Sequence, residues 1–188
     1  MADMIEIRWH GRGGQGGVTS AELLAKAAYK DGYEGVQAFP YFGAERRGAP
    51  VKAFTRISHN PINVRSQIYE PDIVAVLDPG IIELIDVTEG LKDNGLVIVN
   101  IDKPPSEVKV ERGKVYTYDG TGIALKHNLL VAGLPVVNTT MLGAFAKATG
   151  LVKLETIQEV IKENWPGSVG ERNAIGAQEA YDTCNCAD

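Results

Sequence analysis

Apolar and polar residues alternate along Ile5-Glu6-Ile7-Arg8-Trp9-His10, the period of a strand with one buried face. A glycine-rich stretch from Gly11 to Gly17 ends it. Ala21, Leu24, Ala25 and Ala28 then recur at helical spacing while Glu22, Lys26 and Lys30 fall elsewhere, which predicts a helix with Gly32 as its left-handed stop. Val36 to Phe39 reads as a second strand cut by Pro40, and Val51 to Ile57 as another. Asn60-Pro61 predicts a turn into a paired strand around Val64 to Tyr69. The unbroken apolar run Ile73 to Leu77 is that of a central strand covered on both faces. Asp78-Pro79 has the form of an N-cap and first helical residue, opening a helix over Ile81 to Ile85.

Leu96 to Val99 is a further buried strand, Lys103-Pro104-Pro105 begins a connection, and Val115 to Tyr118 is strand-like. The last third reads as helical. Met141, Leu142, Phe145 and Ala146 share one face, closed by Gly150, and Leu154, Ile157, Ile161 and Trp165 form a second stripe stopped by Pro166-Gly167. Ser168 and Glu171 have capping-box spacing. With no repeat or linker composition, residues 1–188 read as a single α/β domain. The expected architecture is three-layered, a mixed and mostly parallel sheet with helices on both faces.

Composition narrows the function classes. The chain has 188 residues, 44% hydrophobic and 23% charged, which is the balance of a globular domain. Its net charge of -5 argues against a nucleic-acid partner. No apolar run approaches the ~20 residues that span a bilayer, and the start Met-Ala-Asp-Met-Ile-Glu has neither a basic nor an apolar leader region. The expected location is the cytoplasm, with no membrane partner. The cysteines, Cys184 and Cys186, cannot staple a fold or supply the four thiolates of an iron–sulfur cluster.

Candidate chemistry sits in two places. Gly11-Arg12-Gly13-Gly14-Gln15-Gly16 matches the dinucleotide fingerprint between a predicted strand and helix, where glycines admit an anion to backbone amides and the helix N-terminus favours it. The nicotinamide form of that motif needs an acid ending the next strand, and Gln37-Ala38-Phe39-Pro40 has none. A tight turn that binds nothing is the alternative. The second place is Tyr41 to Pro50, where Arg46 and Arg47 have forks suited to phosphate or carboxylate and Glu45 is an alternative partner for one of them. Phe39, Tyr41 and Phe42 are candidate interface anchors. His10 is either a proton carrier or a support for the turn. His59 and His127 lack ligand spacing, Asp78 reads as a helix cap, and Asn138 as the cap of the following helix.

At these residues the sequence resembles the gamma subunits of 2-oxoacid:ferredoxin oxidoreductases, most of all those of the pyruvate enzyme. The blocks that carry the resemblance are His10 to Gly16, Gln37 to Pro40 and Gly43 to Pro50, with Pro71-Asp72, the strand ending at Asp78, and Pro135-Val136-Val137-Asn138-Thr139. The resemblance implies a reaction divided among subunits. Thiamine diphosphate with Mg serves decarboxylation of the 2-oxoacid, 4Fe-4S clusters carry electrons to ferredoxin, and coenzyme A takes the acyl group.

Alpha, beta and delta-type subunits are the implied partners, and this chain alone is expected to hold no cofactor and to show no activity. Tyr118-Asp119-Gly120 lacks the leading glycine of a thiamine motif, in line with that division. The resemblance makes the chain an accessory subunit supplying assembly contacts and part of a coenzyme A site. Its candidate cofactor-binding residues are Gly11, Arg12, Gly13, Gly14, Gln15, Gly16, Arg46 and Arg47, with no catalytic residue of its own. The alternative is an independent nucleotide- or flavin-binding protein that uses the glycine loop.

Overall fold

The computed structural model describes residues 4–41 and 48–186. Among them, seven strands form one sheet: β1 (Met4–Arg12), β2 (Gly35–Pro40), β3 (Pro50–Ser58), β4 (Ile73–Val76), β5 (Leu96–Asn100), β6 (Lys114–Tyr118) and β9 (Asn185–Cys186), in the order β2-β3-β1-β4-β5-β6-β9. The centre, β1-β4-β5-β6, is parallel. The margins are antiparallel, β3 pairing with both β1 and β2 and β9 with β6. The described helices are α1 (Gly17–Lys30), α2 (Gly120–Lys126), α3 (Asn138–Thr149), α4 (Leu154–Asn164) and α5 (Ser168–Thr183).

All of these helices contribute to one core, in which Ile7, Trp9, Ile57, Leu24, Phe145 and Ile161 are buried together. The opposite face is covered by 3-10 turns at Pro79–Ile81 and Pro105–Glu107 and by irregular chain, over a smaller cluster of Val74, Val76, Val97, Val99 and Ile81. The three layers are therefore present, and they are unequal. Alanines on α1 let the helix lie close to the sheet, and Asp31 just beyond it caps α4, its carboxylate accepting from the Lys153 amide at 2.7 Å and Thr156 Oγ1 at 2.6 Å. Helices α3 and α5 meet backbone to backbone at Gly143, where an added Cβ would fall 1.9 Å from the Ala177 carbonyl oxygen. Only glycine fits there.

Several sequence expectations need correction. No strand forms over Val64 to Tyr69, because both edges of β3 are already taken by β1 and β2. That segment lies over the sheet instead, held by Gln37 Nε2 donating to the Val64 carbonyl and Arg56 Nη2 to that of Gln67. Asp78 does cap, accepting from the Gly80 amide at 2.9 Å, yet the helix it opens is a single 3-10 turn, not one over Ile81 to Ile85. Asp86 closes its own turn by accepting from the Thr88 amide and hydroxyl, which diverts the chain before a second helical turn forms. The capping box at Ser168 is absent: Gly167 takes the cap position, Ser168 is already helical, and Glu171 pairs with Lys162. The sequence pattern also missed α2, the short hairpin of β7 (Leu130–Val131) and β8 (Leu134–Pro135), and β9.

Candidate functional site

The glycine loop follows β1 directly into α1, at the carboxyl end of the parallel strands, where open α/β sheets place ligands. Gly16 is the N-cap in a left-handed conformation (φ 81°), and no side chain caps the helix. A Cβ at Gly16 would fall 2.8 Å from Asn138 Nδ2, so Asn138 on α3 packs directly under the turn. Some loop amides are consumed: Arg12 N donates to Gln15 Oε1 (2.7 Å), Gln15 N to the Arg12 carbonyl (3.0 Å) and Gly13 N to that of Ala49 (3.0 Å). Those of Gly14, Gly16 and Gly17 have no acceptor among the described residues. The loop keeps donors for an anion.

Its side chains brace it. Arg12 Nε pairs with Asp78 Oδ2 at 2.8 Å while Nη1 donates to the Gly48 carbonyl at 3.2 Å, and Gln15 Nε2 reaches the same Asp78 oxygen at 3.0 Å. Arg12 and Asp78 offset each other's charge, so the attraction of the loop for an anion comes from its amides and the helix dipole. Beside it lies a small cavity of about 150 Å³ lined by Gln15, Leu77, Asp78, Asn100, Thr121 and Val137. The sequence offers Asp78 and Asn138 as helix caps; Asp78 caps its turn, but Val137 holds the cap position of α3 and Asn138 is already helical. An acid ending the neighbouring parallel strand, and a polar residue opposite a glycine, were the available signals for their bracing roles.

The connection after β2 does return to the loop, through Gly48 and Ala49. Arg46, Arg47, Glu45 and Phe42 lie outside the described residues. Phe39 is packed on Phe54 (ring centroids 5.2 Å apart) with the Arg56 guanidinium 5.3 Å above it, while Tyr41 is 43% exposed. More exposed apolar groups lie elsewhere, among them Leu125, Val131 and Leu134 on α2 and the hairpin, and Tyr29, Tyr69 and Leu84 away from them. His10 is not a proton carrier at neutral pH. Burial, then the charges of Arg8 and Lys52, push its imidazole down to about 3, and its Nε2 accepts from Arg8 Nε at 3.1 Å. His59 stacks on Tyr33 and His127 pairs with Glu179 at 2.6 Å. Asp119 caps α2 through the Gly122 amide at 2.7 Å.

The dinucleotide reading fails on topology. In that fold the second strand lies beside the first, so its terminal acid reaches the ribose. Here β3 is inserted between β1 and β2 and separates Pro40 from the loop's own strand. Among the described residues no three His, Cys, Asp or Glu side chains gather at a metal-binding spacing. No helix among them is long and apolar enough to cross a membrane.

The described residues form an α/β sheet domain whose glycine turn sits at the carboxyl end of the parallel strands. Residues 6–183 match the family model described as pyruvate ferredoxin/flavodoxin oxidoreductase. A common gamma subunit of pyruvate and ketoisovalerate oxidoreductases from Thermococcus kodakarensis is 59% identical over 182 residues, covering 95% of this chain and 96% of the relative. A pyruvate synthase subunit PorC from Methanothermobacter marburgensis is 54% identical over 179 residues, covering 95% and 97%. The crystal structure of the pyruvate oxidoreductase subunit PORC from Thermotoga maritima superposes with a TM-score of 0.84 at 37% identity, covering 99% of both chains. A 2-oxoglutarate:ferredoxin oxidoreductase from Magnetococcus marinus shares the fold at 20% identity (TM-score 0.77), this chain matching 32% of that longer one. The chain belongs to the pyruvate ferredoxin/flavodoxin oxidoreductase family, as a gamma-type subunit of the oxidoreductase.

Proposed function

We propose that this chain is the accessory subunit of a cytoplasmic, coenzyme A-acylating pyruvate:ferredoxin oxidoreductase. It assembles with alpha, beta and delta-type subunits that carry thiamine diphosphate, Mg and the iron–sulfur clusters and that pass electrons to ferredoxin. Its own contribution is a docking surface and one wall of the coenzyme A site, built from Gly11 to Gly16 with Arg46 and Arg47. The observation that carries the loop assignment is the set of unpaired amides at Gly14, Gly16 and Gly17, at the N-terminus of α1. The exposed Leu125, Val131 and Leu134 support docking, since a monomer gains nothing by leaving them in water.

Steady-state kinetics on reconstituted complexes test this reading. Gly16→Val places a branched side chain at positive φ and against Asn138; in complexes that still assemble, the coenzyme A requirement should rise while the requirement for pyruvate is unchanged. Arg46→Ala or Arg47→Ala should weaken coenzyme A about ten- to a hundredfold, the worth of one charge-assisted phosphate contact, and lysine should restore part of it. An unaltered coenzyme A dependence in all three variants would remove the loop and the arginines from that site.

A further inference from the structure

The face of β1 turned away from the helices carries Glu6, Arg8 and His10. Strand register sets Arg8 opposite Phe54 and His10 opposite Lys52, and Tyr41 follows alongside, its amide donating to the Lys52 carbonyl. Residues 67–70 and 89–90 arch over this row and leave a cavity of about 470 Å³ lined by Arg8, Tyr41, Lys52, Phe54, Tyr69 and Glu89, among others. Arg8 is only 5% exposed. Its Nε donates to His10 Nε2, and its Nη2 to the carbonyls of Val87 (3.0 Å) and Glu89 (2.6 Å). Every one of these acceptors is neutral, and Nη1 has none among the described residues.

A buried guanidinium ordinarily has an anionic partner. Arg56, on the same face of β3, has one in Glu6 at 2.8 Å. Among the described residues, no carboxylate lies within ion-pairing distance of either Arg8 or Lys52. Two acids, Glu70 and Glu89, also line the cavity, and both are exposed to solvent. Burial, and for Lys52 also the neighbouring charge of Arg8, lowers the proton affinity of both groups, against the opposing pull of Glu89 on both and of Asp86 on Arg8. His10 stays neutral between them and orients the guanidinium.

We propose that this cavity is an oxyanion-binding site, in which Arg8 Nη1 and Lys52 Nζ take a carboxylate or phosphate and the rings of Tyr41, Phe54 and Tyr69 wall the group attached to it. The site is separate from the glycine loop and does not rest on the coenzyme A assignment. Its anion has two conceivable sources, a free small molecule or an acidic side chain of a neighbouring subunit, and both present the same chemistry.

Inorganic phosphate is the probe. Titrated into the isotope-labelled full chain at constant ionic strength, it should shift the backbone amides of Arg8, Lys52 and Phe54 saturably. Lys52→Met should weaken that binding about tenfold, and Lys52→Arg should keep most of it. Shifts scattered over exposed lysines, no saturation, or undiminished affinity in Lys52→Met would overturn the proposal. In the assembled complex, acylation of the Lys52 amine by a small reagent, read by mass spectrometry, separates the sources. Acylation that proceeds until phosphate is added assigns a free anion, and acylation blocked without phosphate assigns a partner's acidic side chain. Acylation that proceeds unhindered and equally with and without phosphate would overturn the proposal.

Discussion

The two faces of β1 differ more than its alternating pattern implies. Toward the helices, Ile7 and Trp9 enter a dry core in which Trp9 stacks on Phe145 (ring centroids 6.0 Å apart) and its Nε1 donates to Thr55 Oγ1 at 3.0 Å. Toward the other face, Arg8, His10 and the neighbouring Arg56 are just as inaccessible, at 5%, 1% and 1% exposure. The first face is held by dispersion and area removed from water, and it tolerates losses in proportion to volume. The second is held by pairing, so its energetics depend on which partner each charge has. Equal burial conceals two kinds of stability.

The difference is broken most severely from the dry side. Trp9→Ala removes the largest fully buried side chain and leaves Thr55 Oγ1 without its indole donor, although that hydroxyl still donates to the Ala21 carbonyl. The expected loss is about 3–5 kcal/mol, read as a fall in the denaturant midpoint with little change in slope. A loss below about 1 kcal/mol would mean that the helix layer refills the space, against the close packing seen at α1 and Gly143.

The charged side sharpens the contrast through a cycle. Arg56→Met strands the Glu6 carboxylate, which keeps Lys92 at 3.8 Å, and the expected cost is about 2–3 kcal/mol, less than the roughly 3–5 kcal/mol of a pair broken with no second cation nearby. Glu6→Gln in the same background should recover much of it, because a neutral amide no longer needs the guanidinium. A double variant as unstable as the sum of both singles would show that the two side chains do not act on each other.

The same contrast explains what was legible in the sequence. Ile73 to Val76 and Leu96 to Val99 read directly as central strands because both their faces meet apolar cover. Alternation marks strand β1, with Ile5, Ile7 and Trp9 on one side of it. That its polar face is also buried could not be read, since burial there comes from residues 61–70 and 87–90, which have no periodicity. The glycine loop and its helix were visible from Gly11 to Ala28, whereas its braces, Asp78 and Asn138, arrive from strands and helices more than sixty positions away. The hairpin around Ala132 and Gly133 carries no alternation to read, because three of its four paired residues, Leu130, Val131 and Leu134, expose their apolar side chains.

The smallest effect separates the faces by pH. His10 is neutral in the folded chain down to about 3, held there by burial and by Arg8 on its own strand and Lys52 on β3, with Glu89 of the covering segment acting on those two cations. In the unfolded chain it titrates near 6.5. Below that value the unfolded state binds a proton that the folded state refuses, so stability must rise with pH between the two values and fall on acidification. The shift is worth about 2 kcal/mol between pH 7 and pH 5. His10→Gln retains an acceptor for Arg8 Nε and removes the titration. Denaturant unfolding of both proteins at pH 7 and pH 5 cancels the carboxylates they share, and the acid-side loss should be shallower in the variant by about that amount. Parallel profiles would show that the imidazole takes up its proton in the folded chain as readily as in the unfolded one, and that the charged face admits water where the dry face does not.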